Sequence, residues 1–253
     1  MAPVFDSDDP GFAAWLAGQA GQLLLELRDK LGFGDPTALR AAGDRRSHEL
    51  LMRAFAEHRP GDAVLSEEGV DDRSRLYADR VWIVDPLDGT REYGEPGRTD
   101  WAVHVALWTR GEGLTAGAVA LPAQGVVLST VTPAPEHPPL GPRLRIAVSR
   151  TRAPGFLPEL ARSLGTDLVP MGSAGAKVCA VIQGTVDAYV HAGGQYEWDS
   201  AAPVAVALAT GHYASRLDGS TLEYNQPGPS VPDLLVCRPE IAPRLLAALN
   251  QGA

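Results

Sequence analysis

The sequence has few cysteines and no long apolar run, which argues against a disulfide-rich protein and against a membrane-spanning one. Among 253 residues the only cysteines are Cys179 and Cys237, too few for a disulfide framework. Both lie among apolar residues, so we expect buried free thiols and a cytoplasmic location. Residues 1–9 are acidic where a secretion signal would be basic. We therefore expect neither a signal peptide nor a membrane span.

Positive charge is also scarce, and this bears on the partners of the protein. The chain has 22 lysine and arginine residues against 31 acidic residues, a formal net charge of −9. Such a surface repels phosphates, so a nucleic acid polymer is not an expected partner. A small phosphorylated substrate stays compatible with this charge, because bound cations reverse the local field. The length allows one large domain or two small ones that share a core.

What the chain does contain is an acidic motif directly after an apolar run. Residues 81–84, Val-Trp-Ile-Val, are typical of a buried strand that delivers Asp85 to its carboxyl end, where Pro86 is expected to stop it. The motif continues through Asp88 to a Gly-Thr pair. Asp85 and Asp88 would repel each other across a turn unless a cation lay between them, and carboxylate oxygens favour Mg²⁺. The alternative is an ordinary turn without a ligand.

Two further acids favour the metal site over the ordinary turn. Glu67 follows the apolar pair at 64–65, which can end a short strand. Asp199 stands just before a run of small residues that predicts a helix, where it is also a plausible N-cap. Together with Asp85 and Asp88, these acids could hold two or more Mg²⁺ ions, as two-metal hydrolysis requires.

The spacing of apolar residues predicts two amphipathic helices, then an antiparallel sheet, then alternating helices and strands. The expected helices are 11–31, 44–58, 156–164, 174–183, 200–209 and 241–250. The expected strands are 81–84, 101–108, 116–121, 126–131, 144–149, 188–191 and 234–237. A proline-rich hinge at 133–142 predicts an N-terminal α+β subdomain (1–140) that carries the metal motifs and a C-terminal α/β subdomain (141–253), joined in one compact unit.

Three ordered motifs resemble the inositol monophosphatase superfamily of Mg²⁺-dependent, lithium-sensitive phosphatases. They are Ser-Glu-Glu at 66–68, Asp-Pro-Leu-Asp-Gly-Thr at 85–90 and Trp-Asp-Ser-Ala-Ala-Pro at 198–203. The resemblance covers essentially the whole chain. It implies an αβαβα layered sandwich of sugar-phosphatase type, an α/β fold, and a homodimer.

Within that superfamily the chain is most similar to the CysQ-type 3′-phosphoadenosine 5′-phosphate phosphatases. The segments that carry this similarity are Asp-Gly-Thr-Arg-Glu-Tyr at 88–93, Gly-Ser-Ala-Gly-Ala-Lys at 172–177 and Gly-Gly-Gln-Tyr-Glu-Trp-Asp at 193–199. The implied reaction is removal of the 3′-phosphate to leave AMP, in the service of sulfate assimilation. Inositol-1-phosphatase or fructose-1,6-bisphosphatase activity is the alternative, and a catalytically silent metal-binding or nucleotide-binding module is a third hypothesis.

The resemblance implies a metal-binding role for each matching acid. Glu67, Asp85 and the backbone carbonyl of Leu87 would hold one Mg²⁺. A second would be held by Asp85, Asp88 and Asp199, so that Asp85 bridges the two. The first ion would turn a bound water, next to the catalytic Glu67, into hydroxide, and the second would stabilise the leaving alkoxide.

The phosphate end of the site is expected at the Gly-Thr pair. The N–H groups of Gly89 and Thr90 would bind phosphate, and the Thr90 hydroxyl, paired with Asp44, would orient the attacking water. Related phosphatases carry a Pro-Val-Thr-x-x-Asp-like segment before the second helix, whereas the chain here keeps the Asp at position 44 and has no Thr three residues before it. A third metal ion is therefore left open, and Asp44 could instead be only the N-cap of the second helix.

The rest of the substrate site depends on single residues with competing explanations. Lys177 could bind a second phosphate or a ribose hydroxyl, or be a surface charge, and Ser173 would cap the helix that contains it. Arg91 could reach an anionic group or pair with Glu92 or Glu95. His104 has no metal-spaced partner and is expected to be structural. The expected substrate-site residues are Glu67, Leu87, Asp88, Gly89, Thr90, Arg91, Ser173, Lys177 and Asp199.

Overall fold

The computed structural model describes residues 8–252, so most of the acidic segment 1–9, from which we expect no signal peptide, lies outside the described residues. The helices are α1 (Asp9–Leu31), α2 (Pro36–His58), α3 (Thr90–Tyr93), α4 (Leu157–Leu164), α5 (Ala174–Ile182), α6 (Glu197–Ala209) and α7 (Ala242–Gly252). The strands are β1 (Ala63–Ser66), β2 (Arg80–Asp88), β3 (Ala102–Thr109), β4 (Gly113–Leu121), β5 (Val126–Ser129), β6 (Arg145–Ser149), β7 (Asp167–Met171), β8 (Ala188–Tyr196), β9 (Tyr213–Ser215) and β10 (Ser230–Cys237). The short strands β7 and β9 were not predicted from the sequence. No described helix is long and apolar enough to cross a bilayer.

The strands form two five-stranded sheets. In the first sheet the order is β1-β2-β3-β4-β5, with β1 parallel to β2 and the remaining neighbours antiparallel. In the second sheet the order is β7-β6-β8-β10-β9, and β6 is parallel to both of its neighbours. The second sheet is therefore mixed, since β10 runs antiparallel to β8 and β9.

Alternate residues of each sheet face different helix layers. In β2, Trp82 and Val84 pack with α1 and α2, whereas Val81 and Ile83 face the core that contains α5 and α6. The second sheet also contributes to that central core, and its other face packs on α4 and α7. The order of layers is thus helix, sheet, helix, sheet, helix, and the predicted αβαβα sandwich is confirmed.

The two cysteines lie in different parts of this core. Cys179 belongs to the central layer and Cys237 to the core beneath α4 and α7. Both are buried free thiols, as predicted. The proline-rich hinge joins β5 of the first sheet to β6 of the second. Because α5 and α6 follow this hinge yet pack between both sheets, we propose that the two subdomains near residue 140 share one core.

The second helix begins eight residues earlier than predicted, which decides the position of Asp44. Asp35 is the N-cap, and its Oδ1 accepts hydrogen bonds from the N–H groups of Thr37 (3.1 Å) and Ala38 (3.0 Å). Pro36 occupies the first helical position, where its missing N–H costs nothing. The N-cap alternative for Asp44 is therefore wrong, because this residue lies inside the helix.

The prediction that Pro86 stops its strand is also wrong. Strand β2 continues to Asp88, with a register shift against β3 between Asp85 and Asp88. A bulge of this kind tolerates proline, which has no N–H to donate to the ladder. The Leu87 N–H donates instead to Asp85 Oδ1 at 2.9 Å. The metal motif is thus an irregular strand end rather than a turn after a strand.

Candidate functional site

Three carboxylates from separate parts of the chain meet at the end of β2. Ligand oxygens of Asp85, Asp88 and Asp199 all lie within 4.8 Å of one another. Asp85 and Asp88 are buried on the first sheet, and Asp199 lies in the first turn of α6. Asp199 is not the N-cap of that helix. It is the third helical residue, and its Oδ2 accepts a hydrogen bond from the Tyr196 N–H at 2.6 Å.

Glu67 joins this group from the first residue after β1. Because β1 is parallel to β2, the ends of both strands meet, and the Glu67 N–H donates to the carbonyl of Val84 at 3.4 Å. The Glu67 side chain hydrogen-bonds with that of Asp85. Desolvation, with nearby acidic charges that include Asp88, raises the pKa of Glu67 to about 7 against this hydrogen bond.

The close approach of the acids raises two more pKa values. Burial raises the pKa of Asp85 well above its ordinary value, and the charges of Glu67, Asp88 and Asp199 add to the shift. Burial and the charge of Asp88 raise the pKa of Asp199 to about 7. A cation among these oxygens would offset the repulsion that adds to the effect of burial on these pKa values. The three carboxylates that meet here, with Glu67 and Leu87 in the wall of the same cleft, offer hard oxygen donors of the kind that Mg²⁺ binds.

Asp88 differs from its neighbours because donors surround its Oδ2. Ser173 Oγ donates to it at 2.5 Å, the Gly175 N–H donates at 2.8 Å, and His104 Nε2 lies 3.3 Å away. Burial alone would raise the pKa of Asp88. The contact and charge of His104, then the charge of Lys177 and the Ser173 hydrogen bond, outweigh burial and lower the pKa. Asp88 is therefore held as an anion.

His104 has a place in the site that the sequence analysis did not predict. Its ring is completely buried on β3, with Nδ1 2.9 Å from the Trp198 carbonyl and Nε2 facing Asp88. Ser173 likewise combines two contacts, since its Oγ accepts from the Ala176 N–H at 2.9 Å as the predicted cap of α5. The only sequence signal for His104 is its location on the strand next to the motif.

The Gly-Thr pair forms a tight corner at the start of α3. Gly89 has a φ of +81°, and a Cβ there would lie 3.1 Å from Ser173 Cβ and 3.2 Å from the Asp100 carbonyl oxygen, so glycine is required. Thr90 Oγ1 lies 3.0 Å from the Leu87 carbonyl and 3.3 Å from Asp44 Oδ1. Burial and the charge of Glu68 raise the pKa of Asp44 to about 6, although the Thr90 hydrogen bond lowers it.

The two basic residues of the predicted site, Lys177 and Arg91, differ from the alternatives that the sequence left open for them. Lys177 is not a surface charge: its Nζ is buried and donates to the carbonyls of Gly172 (3.1 Å) and Ser173 (2.7 Å). Desolvation lowers the pKa of Lys177 to about 8. The Arg91 pairing with Glu92 or Glu95 is wrong, because both acids bind Arg150 instead.

A cleft of about 290 Å³ contains nearly all of the predicted residues. Its wall includes Glu67, Asp85, Leu87, Asp88, Gly89, Thr90, Arg91, Ser173, Lys177 and Asp199. Asp44 is not part of the wall and reaches the site through Thr90. Strands β6 and β8 of the second sheet and the turn after β6 add residues that the sequence analysis missed, which are Ser149, Thr151, Arg152, Tyr189, His191 and Gln195. The cleft thus combines an acidic cluster with a wall of mixed polar groups.

Several proteins similar to this chain are named as phosphatases. Residues 15–252 match the model of the inositol monophosphatase family. A 3′-phosphoadenosine 5′-phosphate phosphatase of Mycobacterium tuberculosis is 56% identical over 91% of this chain and 89% of the relative. The protein of the same name from Mycobacterium leprae is 54% identical over 96% of this chain and 94% of the relative.

Solved structures agree on the fold. A staphylococcal protein, IMPase-II, superposes with a TM-score of 0.74 over 96% of both chains at 24% identity. At that identity the likeness concerns the architecture alone. The family match and the mycobacterial relatives go further, and the chain is a phosphatase that belongs to the inositol monophosphatase family.

Proposed function

We propose that this phosphatase is Mg²⁺-dependent and hydrolyses 3′-phosphoadenosine 5′-phosphate to AMP and phosphate. The observation that carries the metal dependence is the meeting of Asp85, Asp88 and Asp199 oxygens within 4.8 Å, in a cleft that Glu67 also lines. The proposed substrate is the one for which the mycobacterial relatives are named. In the cell this reaction would clear an inhibitory by-product of sulfate assimilation.

The acids are assigned to two metal-binding sets that share Asp85. We assign Glu67, Asp85 and the Leu87 carbonyl to one Mg²⁺ and Asp85, Asp88 and Asp199 to a second, with a third ion left open. When bound, the ions supply a hydroxide near neutral pH and stabilise the charge of the leaving oxygen. Ser173 and the Gly175 N–H keep Asp88 oriented through its Oδ2, so its other oxygen is left for a metal.

The corner at Gly89 and Thr90 serves the phosphate. The backbone N–H groups of these residues would bind phosphate oxygens, with Arg91 beside them in the cleft wall. The Thr90 hydroxyl donates either to Asp44 or to the Leu87 carbonyl, so it can accept a hydrogen bond from the attacking water. Asp44 and Thr90 would thereby orient the water for in-line attack.

A substrate panel tests the proposed function. Phosphate release by the wild-type enzyme is measured with Mg²⁺ at matched concentrations of 3′-phosphoadenosine 5′-phosphate, inositol 1-phosphate and fructose 1,6-bisphosphate. We expect the highest kcat/KM for the nucleotide and no turnover in EDTA. A preference for inositol 1-phosphate or fructose 1,6-bisphosphate would support the alternative activity. Turnover that persists in EDTA would contradict the metal dependence.

Three further properties are proposed from the family resemblance and the composition. We infer a homodimer, inhibition by Li⁺, and a cytoplasmic location consistent with two buried free thiols. Light scattering coupled to size-exclusion chromatography tests the first, and a mass near 26.7 kDa, that of one chain, would contradict it. Phosphate release in LiCl against KCl tests the second.

A further inference from the structure

The short helix α3 contains an acid that the metal site does not use. Glu92 is only 5% exposed and lies in the cleft wall, two residues after Thr90. Its charge is felt inside the cleft, since desolvation lowers the pKa of Lys177 and the charges of Asp88 and then Glu92 oppose that change. A buried carboxylate beside the corner at Gly89 and Thr90 would repel a phosphate group there unless a cation neutralised it.

Arg150, in the turn after β6, supplies that cation. Its Nε and Nη2 donate to Glu92 Oε1 at 3.0 and 2.8 Å, and Nη2 also donates to Glu95 Oε1 at 2.8 Å. The side chain of Glu92 is 7% exposed and that of Glu95 is 33% exposed, so the contact with Glu92 is the more shielded of the two. Arg150 itself is not part of the cleft wall. Its effect on a ligand therefore passes through the acids that it binds.

A glycine after β7 fixes Glu92 from another direction. A Cβ at Gly172 would overlap Cγ and Cδ of Glu92, so only glycine allows the carboxylate to lie there. The Gly172 N–H donates to Asp100 Oδ2 at 2.5 Å, and the Arg150 N–H donates to the Met171 carbonyl at 3.0 Å. The segments after β6 and β7 are thus attached to each other, and Glu92 of the first sheet's helix α3 is held by both.

No other described cation replaces Arg150 at this acid. Arg40, on α2, also reaches α3, but its Nη2 donates to the Arg91 carbonyl at 3.2 Å. Lys177 Nζ donates to two backbone carbonyls. In the described part of the chain, Arg150 is the one residue that forms an ion pair with Glu92. Loss of Arg150 would leave a buried carboxylate in the cleft wall without a paired charge.

We propose that Arg150 is a positioning residue for phosphate binding, which neutralises Glu92 and holds it against Gly172. It acts through Glu92 and touches no reacting atom. The inference rests on the proposed function, because it takes the corner at Gly89 and Thr90 as the place of the phosphate. It concerns the phosphate group that every candidate substrate contains, so it does not depend on which substrate is preferred.

Loss of this cation should weaken phosphate binding and not the chemical step. KM, kcat and the inhibition constant of inorganic phosphate are measured with Mg²⁺ in wild type and Arg150→Met, using the best substrate of the panel. We expect KM and the inhibition constant to rise about tenfold and kcat to change less than about twofold, because an unpaired acid repels both ligands. Arg150→Lys keeps the charge and should show a rise below about threefold. A lower kcat with both constants unchanged would show a structural contact only and overturn the proposal.

A double variant tests whether Arg150 acts through Glu92. In Arg150→Met combined with Glu92→Gln the repelling charge is gone and the shape of the acid is kept, so both constants should return to within about twofold of wild type. Glu92→Gln alone should also stay within about twofold. If Arg150 contacted the phosphate directly, the double variant would be as impaired as Arg150→Met, and that result would overturn the proposal.

Arg216→Met is the matched control. Arg216 donates to both oxygens of Asp233 at 2.8 and 2.6 Å and its side chain is 29% exposed, against 28% for Arg150, but neither member of the pair lines the cleft. Both constants should stay at their wild-type values in this variant.

The same measurements separate this inference from the proposed function. If the wild type prefers inositol 1-phosphate but the rise in Arg150→Met and its reversal in the double variant are found, the proposed substrate fails and the role of Arg150 stands. If both constants are unchanged in Arg150→Met, the role of Arg150 fails even where 3′-phosphoadenosine 5′-phosphate is the best substrate and turnover requires Mg²⁺.

Discussion

Two acids of the same strand end, Asp85 and Asp88, have opposite electrostatics. Burial and three neighbouring acids raise the pKa of Asp85, whereas the contacts with His104 and Ser173 lower that of Asp88. Without a metal ion, the charged form of Asp85 is therefore unfavourable in the fold, whereas the charged form of Asp88 is stabilised by its neighbours. Removal of the charge of Asp85 is therefore expected to weaken metal binding and to increase the stability of the metal-free protein.

Asp85→Asn should abolish Mg²⁺-dependent turnover and stabilise the metal-free fold. We expect kcat to fall at least about 100-fold, because a carboxylate assigned to both ions is lost. In EDTA the melting temperature should rise, because a repelled buried charge is gone. The exposed Asp29→Asn on α1 is the matched control and should change neither quantity. A variant that melts lower in EDTA would contradict the electrostatic account, and binding without any turnover in the wild type would favour the silent module.

Thr90 tests the orientation of the attacking water. Thr90→Ala should fold normally and lower kcat by about 100- to 1000-fold with a small effect on KM, because the hydroxyl acts on the water and not on substrate binding. Thr90→Ser keeps the hydroxyl that contacts Asp44 and Leu87 and should recover most of the activity. A steady-state comparison of the three proteins is sufficient, and a kcat of Thr90→Ala near wild type would refute the role.

At the scale of elements, the approach of α2 to the motif depends on one glycine. A Cβ at Gly43 would lie 2.7 Å from Tyr93 Cε1 and 2.8 Å from Leu87 Cδ2, which is closer than a real Cβ can come. Gly43 precedes Asp44, so this close packing brings Asp44 within reach of Thr90. The glycine lowers the intrinsic helix propensity of α2 at position 43 but allows the close packing that brings Asp44, for which we propose a role in orienting water, within reach of Thr90.

Gly43→Ala should consequently impair the site. We expect kcat to fall about tenfold or more as Asp44 moves away from Thr90, and the free energy of unfolding to fall by about 1 to 3 kcal/mol from overpacking. The control is Gly18→Ala on α1, where the nearest atom to a Cβ is 3.8 Å away. That change should stabilise the protein by up to about 1 kcal/mol and leave kcat unchanged. An active, stabilised Gly43→Ala protein would show that α2 can shift without consequence.

At the scale of the whole molecule, a histidine pair attaches the hinge to the second sheet. His137, in the proline-rich segment, and His212 have their Nε2 atoms 2.9 Å apart, and Arg238 donates to the Pro138 carbonyl at 2.8 Å. Burial and the charge of His137 lower the pKa of His212 to about 4. His212 is therefore neutral in the fold over a range of pH where it is protonated in the unfolded chain.

The sign of the resulting pH dependence follows from this depressed pKa. The contribution of His212 is complete above about pH 6.5, the ordinary histidine value, and is lost as the pH falls toward about 4. The raised pKa values of Glu67 and Asp199 act in the opposite direction, so only a difference is informative. In urea unfolding between pH 7.5 and 5, wild type should lose about 1 to 2 kcal/mol relative to His212→Gln, allowing for solvent screening. Parallel curves for the two proteins would exclude His212 as the source.

Much of the acidic half of the site could be predicted from the sequence. Glu67, Asp85, Asp88 and Asp199 each follow or precede a short apolar or small-residue segment, and strand and helix ends are where local pattern is most informative. The continuation of β2 through Pro86 could not be predicted from the sequence, because the bulge there depends on pairing with the neighbouring strand β3. The start of α2 differs from the prediction although its signal is local, since Asp35 and Pro36 form an N-cap and a first helical residue eight positions before Asp44.

The sequence by itself predicted helices, strands and the four carboxylates from short local segments, and the resemblance of three ordered motifs implied the family and its αβαβα sandwich. Contacts between distant segments were decided only by packing. His104 meets Asp88 because β3 lies beside β2, and Arg152 meets the cleft because the second sheet packs against α5 and α6. No local pattern pairs Arg150 with Glu92 and Glu95, which precede it by 58 and 55 residues. Such contacts are defined by everything that surrounds a side chain, and they exist only in the folded molecule.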